Sequence, residues 1–327
     1  MEGESESERE GYSLVVRKPC FGLPTACPSC LPPYLYLRFA NIPFLLDFNL
    51  VFPDSDQIPY VESGDYVAYN NEKGGLIERL KEDSIIDLDS ELYSVPEWIS
   101  TKAMLTSWLA DAITYELWVG SDGSSAQIIY CSDLPWPIGK VLFLKQIRSV
   151  KQKLGITKDN AEQKEGEIYR RASIAYGALS TRLGDQNFFF ENRPSSLDAI
   201  FSGQALIILQ ALPETSVLRS KLLEHGNLVR YAERVKTEFV DTGPSYSAPH
   251  FHAEPSSSNP KKGPRQSSKP KSKPKREKTQ EEKTFKRRAK YFLATQLIAV
   301  LLFLTLMGRP DDSEVELDDD DEGYIND

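Results

Sequence analysis

The chain has 327 residues, 40% of them hydrophobic, and a formal net charge of -9. That length fits one or two domains with a sizeable core. The acidic stretch MEGESESEREGYS lacks the basic, apolar and small-residue layout of a secretory signal and is too acidic for a mitochondrial presequence, so neither is expected. The four cysteines, Cys20, Cys27, Cys30 and Cys131, are expected as reduced thiols on a cytosol-facing domain.

Residues 1–11 are polar and expected to be disordered. Residues 12–17 (YSLVVR) alternate like a strand and lead into a Gly/Pro/Cys loop. Pro32 and Pro33 fit the first turn of a helix and not its interior, so a helix starts near them and runs through YLYLRFAN. Pro43–Leu50 reads as a second strand. Ile58–Glu62 and Tyr66–Tyr69 read as two strands joined by a Ser63-Gly64-Asp65 turn. A helix is predicted over 71–81, and Pro53–Gln57 is expected to be a loop.

The following region is helical by periodicity. Trp98, Leu105, Trp108, Leu109, Ala112 and Tyr115 form one stripe, and Ile168, Ala172, Ala175, Leu179 and Leu183 form a second. Leu197–Leu209 is apolar nearly all round and predicts a helix at the centre of a bundle, with 216–224 and 228–239 closing it. From Asp241 to Thr284 the chain is rich in Pro, Ser, Gly and Lys and is expected to be a linker, with a span on the order of 35 Å.

Tyr291 to Met307 (YFLATQLIAVLLFLTLM) carries no charge and is the transmembrane candidate, with Leu297, Leu301 and Leu304 along it. At 1.5 Å per residue it spans about 26 Å, a little short of a typical bilayer of roughly 30 Å. Lys290 and Arg309 can snorkel to cover the difference. Lys286, Arg287, Arg288 and Lys290 adjoin it as a basic collar, which places the N-terminal side in the cytosol. Ten acids and no base follow between Asp311 and Asp327. The expected layout is therefore a disordered 1–11, an α/β domain over 12–90 and an all-helical domain over 91–240. A basic linker over 241–284, an anchor with its basic flank over 285–308 and an acidic tail over 309–327 complete it.

Several patterns carry chemistry on paper. Cys27-Pro28-Ser29-Cys30 places two thiols ahead of the first helix, where a helix N-terminus favours a thiolate. Against a redox role, Pro32 and Pro33 push the helix start to about Cys30 and leave Cys27 off its end, as an ordinary loop thiol. Ser195-Ser196-Leu197-Asp198 fits a capping box, with Ser195 and Asp198 as structural residues. The run from Pro260 to Lys278 is open to three readings: a membrane-surface patch, a nucleic-acid patch without interleaved aromatics, or a solvated spacer. The three histidines, His225, His250 and His252, have no cysteine partner, so no metal is expected, and no P-loop is present.

The β-α-β-β-β-α order followed by helices resembles the glutathione transferase architecture. Ile58-Pro59-Tyr60-Val61 stands where that fold places a cis-proline, which makes Pro59 structural by resemblance. The runs Gly184–Phe190 and Arg193–Ala199, with Tyr169-Arg170-Arg171-Ala172, Leu179–Leu183 and Asn227-Leu228 with Tyr231 and Arg234, resemble the metaxin family in its plant form. The resemblance covers residues 12 to about 240. It implies a non-enzymatic component of the mitochondrial outer membrane, without a cofactor, a small-molecule substrate or nucleic acid. Its expected partners are the sorting and assembly machinery for β-barrel proteins and incoming precursors. The expected topology is single-pass, with the folded domain in the cytosol and the tail in the intermembrane space. The fold family's acidic residue and serine after the fourth strand are replaced here by Asn70-Asn71-Glu72, and Asn70 is expected to cap the next helix. The competing expectation is a tail-anchored thiol-redox or glutathione-dependent enzyme using Cys27 or Cys30.

Overall fold

The computed structural model describes residues 11–48, 57–71, 74–135, 137–190, 192–242 and 295–296. The expected loop at 53–56, nearly all of the linker, the basic collar, the acidic tail and most of the expected anchor lie outside the described residues. Of Tyr291–Met307 only Thr295 and Gln296 are described, in helical conformation. Among the described residues no helix is long and apolar enough to cross a membrane.

Four short strands build the first layer: β1 (Tyr12–Val16), β2 (Phe44–Phe48), β3 (Tyr60–Ser63) and β4 (Tyr66–Tyr69). Their order in the sheet is β2-β1-β3-β4. β1 runs parallel to β2 and antiparallel to β3, and β3 and β4 form a hairpin. Leu14, Val15 and Val16 are all buried, as a strand covered on both faces requires. Gly64 closes the hairpin with a positive φ of 58°, which a side chain would disfavour. The Ile58–Pro59 peptide bond is cis.

Helix α1 (Leu31–Phe39) starts with its two prolines in the first turn, where their missing N–H groups cost nothing. Every residue of α1 except Arg38 is buried. Helix α2 (Gly75–Glu82) begins later than the predicted 71–81. Gly74 and Gly75 have φ of 88° and 81°, so the backbone turns before it can wind. Asn70 is not its N-cap residue, which is Gly74. Its Oδ1 nevertheless accepts the Leu76 N–H at 3.4 Å, so it serves the first turn from outside the helix.

The helical layer opens with α3 (Pro96–Met104) and α4 (Ala110–Tyr115). These are continuous with two wider π-turns, Leu105–Leu109 and Glu116–Gly120. Trp98, Leu105, Leu109, Ala112 and Tyr115 of the predicted stripe are buried, and Trp108 is half-buried. Two further helices, α5 (Ser124–Tyr130) and α6 (Ile138–Lys153), have no counterpart in the sequence reading. α7 (Ala161–Leu183) carries the second stripe, and α8 (Ser196–Ala211) is the central, almost wholly buried helix. α9 (Val217–Leu223), α10 (Gly226–Val235) and a final π-turn (Lys236–Val240) close the layer.

The two layers share one core, because α1 packs on α8 as well as on the sheet. Gly203 of α8 permits this approach: a Cβ there would lie 2.9 Å from Pro32 Cγ. Polar ties lock the same junction. Asp89, wholly buried, accepts the Ser196 N–H at the start of α8 at 2.8 Å. The same carboxylate pairs with Lys81 of α2 and with the Ser196 hydroxyl. Burial pushes the Lys81 ammonium down, but Asp89 and Glu78 outweigh it and hold the group charged above its ordinary range.

Candidate functional site

The Cys27–Cys30 turn sits where β1 hands over to α1. The Cys27 carbonyl accepts the Cys30 N–H at 3.0 Å and the Leu31 N–H at 3.1 Å, so the turn is wound into the start of the helix. Cys27 lies outside α1, but the expectation of an ordinary loop thiol needs correction. It is 1% exposed, and Cys30 is fully buried. Cys27 Sγ lies 3.1 Å from Ser29 Oγ and 3.6 Å from Tyr130 Oη. Burial pushes the Cys27 thiol up, yet the Cys30 thiol, the Arg17 guanidinium and the two hydroxyls outweigh it and hold Cys27 well below the usual thiol range. Burial together with Cys27 pushes Cys30 well above that range. Burial and the neighbouring groups thus push the two thiols in opposite directions.

Arg17 follows β1 directly. Its guanidinium carbon stands 4.6 Å from the centroid of the Tyr130 ring, a cation–π geometry. Tyr130 ends α5 and also stacks on Trp118, with ring centroids 5.0 Å apart. Arg17, Ser29, Trp118 and Tyr130 line a cleft of about 540 Å³ between the sheet layer and α6. Ile58, Asn70 and Asn71 border it from the hairpin side, and Leu142, Lys145 and Gln146 from α6. The volume lies within the usual range for a ligand pocket. Among the described residues its wall contains two cations, Arg17 and Lys145, and no carboxylate.

Of the residues considered from sequence, the cleft gathers Ser29 beside the thiols, Cys131, Asn70 and Asn71 after β4, and Ile58, whose bond to Pro59 is cis. It also contains Arg17, Trp118, Tyr130 and Lys145, which the sequence reading did not single out. Tyr130 is 103 positions from Cys27, and no local pattern links them.

Ser195 and Asp198 lie elsewhere, at the start of α8, in a capping box. Asp198 accepts the Ser195 N–H at 2.9 Å and the Ser195 hydroxyl at 2.7 Å on one oxygen. It accepts the Phe189 N–H at 3.0 Å and the Tyr231 hydroxyl at 2.6 Å on the other. Burial pushes its carboxyl up against these four donors. Every partner is a structural group of the core, and the carboxylate is fully buried. Among the described residues there is no group of His, Cys, Asp and Glu able to hold a metal.

Comparison with known proteins places this geometry. A family model described as "Glutathione S-transferase N-terminal domain" matches residues 28–123, and one described as "Glutathione S-transferase, C-terminal domain" matches residues 172–235. A protein of Arabidopsis thaliana named "Mitochondrial outer membrane import complex protein METAXIN" is 58% identical over 319 residues, spanning 98% of this chain and 100% of that one. Human Metaxin-2 is 25% identical across 63% of this chain and 80% of its own length. Mouse Metaxin-1 is 24% identical across 66% and 71%. A thioredoxin-type sheet layer, a helical layer around α8 and this near full-length identity lead to one conclusion: the chain belongs to the metaxin family and carries a glutathione-transferase-like fold.

Proposed function

We propose that this chain is a non-enzymatic component of protein import at the mitochondrial outer membrane, anchored there by Tyr291–Met307. The observation that carries the reading is the 58% identity, over nearly the whole chain, to a plant protein named for that import complex. The folded region, 12–90 with 91–240, stands in the cytosol on the 241–284 linker. Lys286, Arg287, Arg288 and Lys290 sit at the cytosolic face of the membrane, where each basic residue contributes about 1 kcal/mol to surface attraction. The tail over 309–327 lies in the intermembrane space. The cytosolic domain docks the β-barrel sorting and assembly machinery or its incoming precursors. Deleting 291–327 should move the protein from the mitochondrial membrane fraction to the soluble fraction of cells. Retention of the truncated chain on washed mitochondria would remove the anchor from this reading.

Burial supports the non-enzymatic part. A catalytic thiol has to be reached by its substrate, and Cys27 lies beneath Ser29 and Tyr130 at 1% exposure. One observation favours a second reading: the depressed thiol of Cys27 beside Arg17 has the electronic character of a redox or glutathione-dependent nucleophile. Calorimetric titration with glutathione separates the two. The docking reading expects no heat of binding at millimolar glutathione. Saturable binding that disappears in Cys27→Ser would favour the enzyme.

A further inference from the structure

Helix α6 is a basic island on an acidic chain. Between Asp133 and Asp159 there are six bases and no acid, although the net charge of the whole chain is -9. Five of the six stand on α6: Lys140, Lys145, Arg148, Lys151 and Lys153. Among the described residues none of these five makes an ion pair or a side-chain hydrogen bond. By contrast Lys18 is paired with Asp133, just ahead of α6, and on the next helix Lys164 and Arg171 are both paired with Glu167.

Helical spacing sorts the residues of α6 into faces. Gly139, Phe143, Ile147 and Val150 recur along one side and form its packed stripe. Gly139 and Val150 are buried, Phe143 lies against Trp118 with ring centroids 5.6 Å apart, and Ile147 meets the core. Leu142, Gln146 and Ser149 fall on one flank of that stripe and line the cleft. Lys140, Leu144, Arg148 and Lys151 fall on the other flank, turned away from the cleft, and all four are exposed. Leu144, in the middle of this outer face, is 56% exposed, and Val141 beside it is half-buried.

A surface that satisfies this face must be anionic where it meets three cations and apolar where it meets Leu144. An anionic bilayer interface has that profile: a helix lying on it buries its apolar side chains at the acyl boundary and leaves its bases among the phosphates. The kind of base fits as well. Four of the five on α6 are lysines, point charges on flexible stems that suit a diffuse surface, whereas recognition of single carboxylates favours the planar fork of arginine. The proposed anchor, on a linker with a span on the order of 35 Å, keeps such a surface within reach of the folded region. We infer that the Lys140–Leu144–Arg148–Lys151 face of α6 lies on an anionic lipid surface. This deepens the reading of a membrane-held docking domain and rests on it for the nearby bilayer.

The test reconstitutes the full chain into vesicles of phosphatidylcholine alone, or of phosphatidylcholine and phosphatidylserine at about three to one, and reads acetylation of individual lysines by mass spectrometry. Lys140 and Lys151 should react at least about threefold more slowly on the anionic vesicles, while Lys221 of α9 reacts alike on both. Lys140→Glu with Arg148→Glu, both at exposed sites, should abolish the protection of Lys151 and leave the melting temperature unchanged. Leu144→Gln should reduce that protection severalfold, since it removes the apolar contact and no charge. Three results would each overturn the inference: equal reactivity of Lys140 and Lys151 on the two compositions, protection of Lys151 that survives the double charge reversal, or protection of Lys221 to the same degree. A fourth is protection by soluble polyglutamate, added to the chain in neutral vesicles, equal to that on anionic vesicles; this would make the face a surface for an acidic protein. Alkaline carbonate extraction of the same vesicles reports the anchor separately. A chain that resists extraction but shows equal reactivity on both compositions sinks the α6 contact and keeps the anchor, and an extracted chain with protected lysines does the reverse.

Discussion

Removing the carboxylate of Asp198 leaves four donors aimed at a space that water does not reach. An ordinary N-terminal cap lost from a helix costs about 1 kcal/mol. Here the same carboxylate also holds the Phe189 amide and the Tyr231 hydroxyl, so it joins the start of α8 to the 184–190 segment and to α10. Each orphaned buried donor adds on the order of 1 kcal/mol or more. Asp198→Ala is therefore expected to destabilise by about 3 kcal/mol or more, read as a shift of the urea midpoint at constant slope. A change near 1 kcal/mol would mean that the core relaxes around the site and that the residue is a cap alone. The Ser-x-x-Asp spacing that marks this box spans four positions and is legible in the sequence. The Phe189 and Tyr231 bonds are not, because they depend on where two other segments fold. The cleft is the extreme case: its central pair, Arg17 on Tyr130, joins the end of a strand to the end of a helix that the sequence did not announce.

Elements with one-sided burial could be read from periodicity, and those with another pattern of burial could not. α7 puts Ile168, Ala172, Ala175, Leu179 and Leu183 on one face, which is why its stripe predicts it well. α6 was missed for a physical reason. Its apolar residues run consecutively, Val141 to Leu144, and so fall around the helix instead of along it. Only Gly139 and Val150 of its described residues are buried. α8 is the opposite case, apolar nearly all round because neighbours cover almost all of it. That coverage makes Gly203 sensitive. Gly to Ala within a helix ordinarily gains up to about 1 kcal/mol of propensity. Here the new Cβ would stand 2.9 Å from Pro32 Cγ and 3.1 Å from Pro32 Cδ and Pro32 N. A proline ring at a helix start cannot swing aside, so the helices must separate, and overpacking costs about 1–3 kcal/mol. Gly203→Ala is expected to lower the melting temperature despite its better propensity. A rise in melting temperature would show that α1 yields.

At the scale of the molecule, the sheet layer does not close its own core. α1 has two buried sides: one meets the sheet, with Tyr34 edge-on to Phe44 of β2, and the other lies on α8. Its far end is held as well. Phe39 packs edge-on to Phe239 at 4.7 Å between centroids, and Arg38 Nε donates to the Phe239 carbonyl at 3.0 Å. Below it, Asp89 spans from Lys81 to Ser196. Separated from the helices, the sheet layer would expose the outer side of α1, including Pro32 and much of Leu31–Phe39. It would also leave Asp89 without the Ser196 donors. A fragment of that size already buries a small fraction of its surface, and loss of one whole face removes the margin. Residues 1–94 expressed alone are therefore expected to lack a cooperative thermal transition by circular dichroism, whereas residues 1–242 melt in one step followed identically by circular dichroism and tryptophan fluorescence. A cooperative melt of the 1–94 fragment near the temperature of the longer chain would show that α8 decorates the sheet layer and does not complete it. The distinction matters for the cleft, whose walls come from both layers. If the layers fold as one body, Arg17 and Lys145 are held at a fixed separation across it.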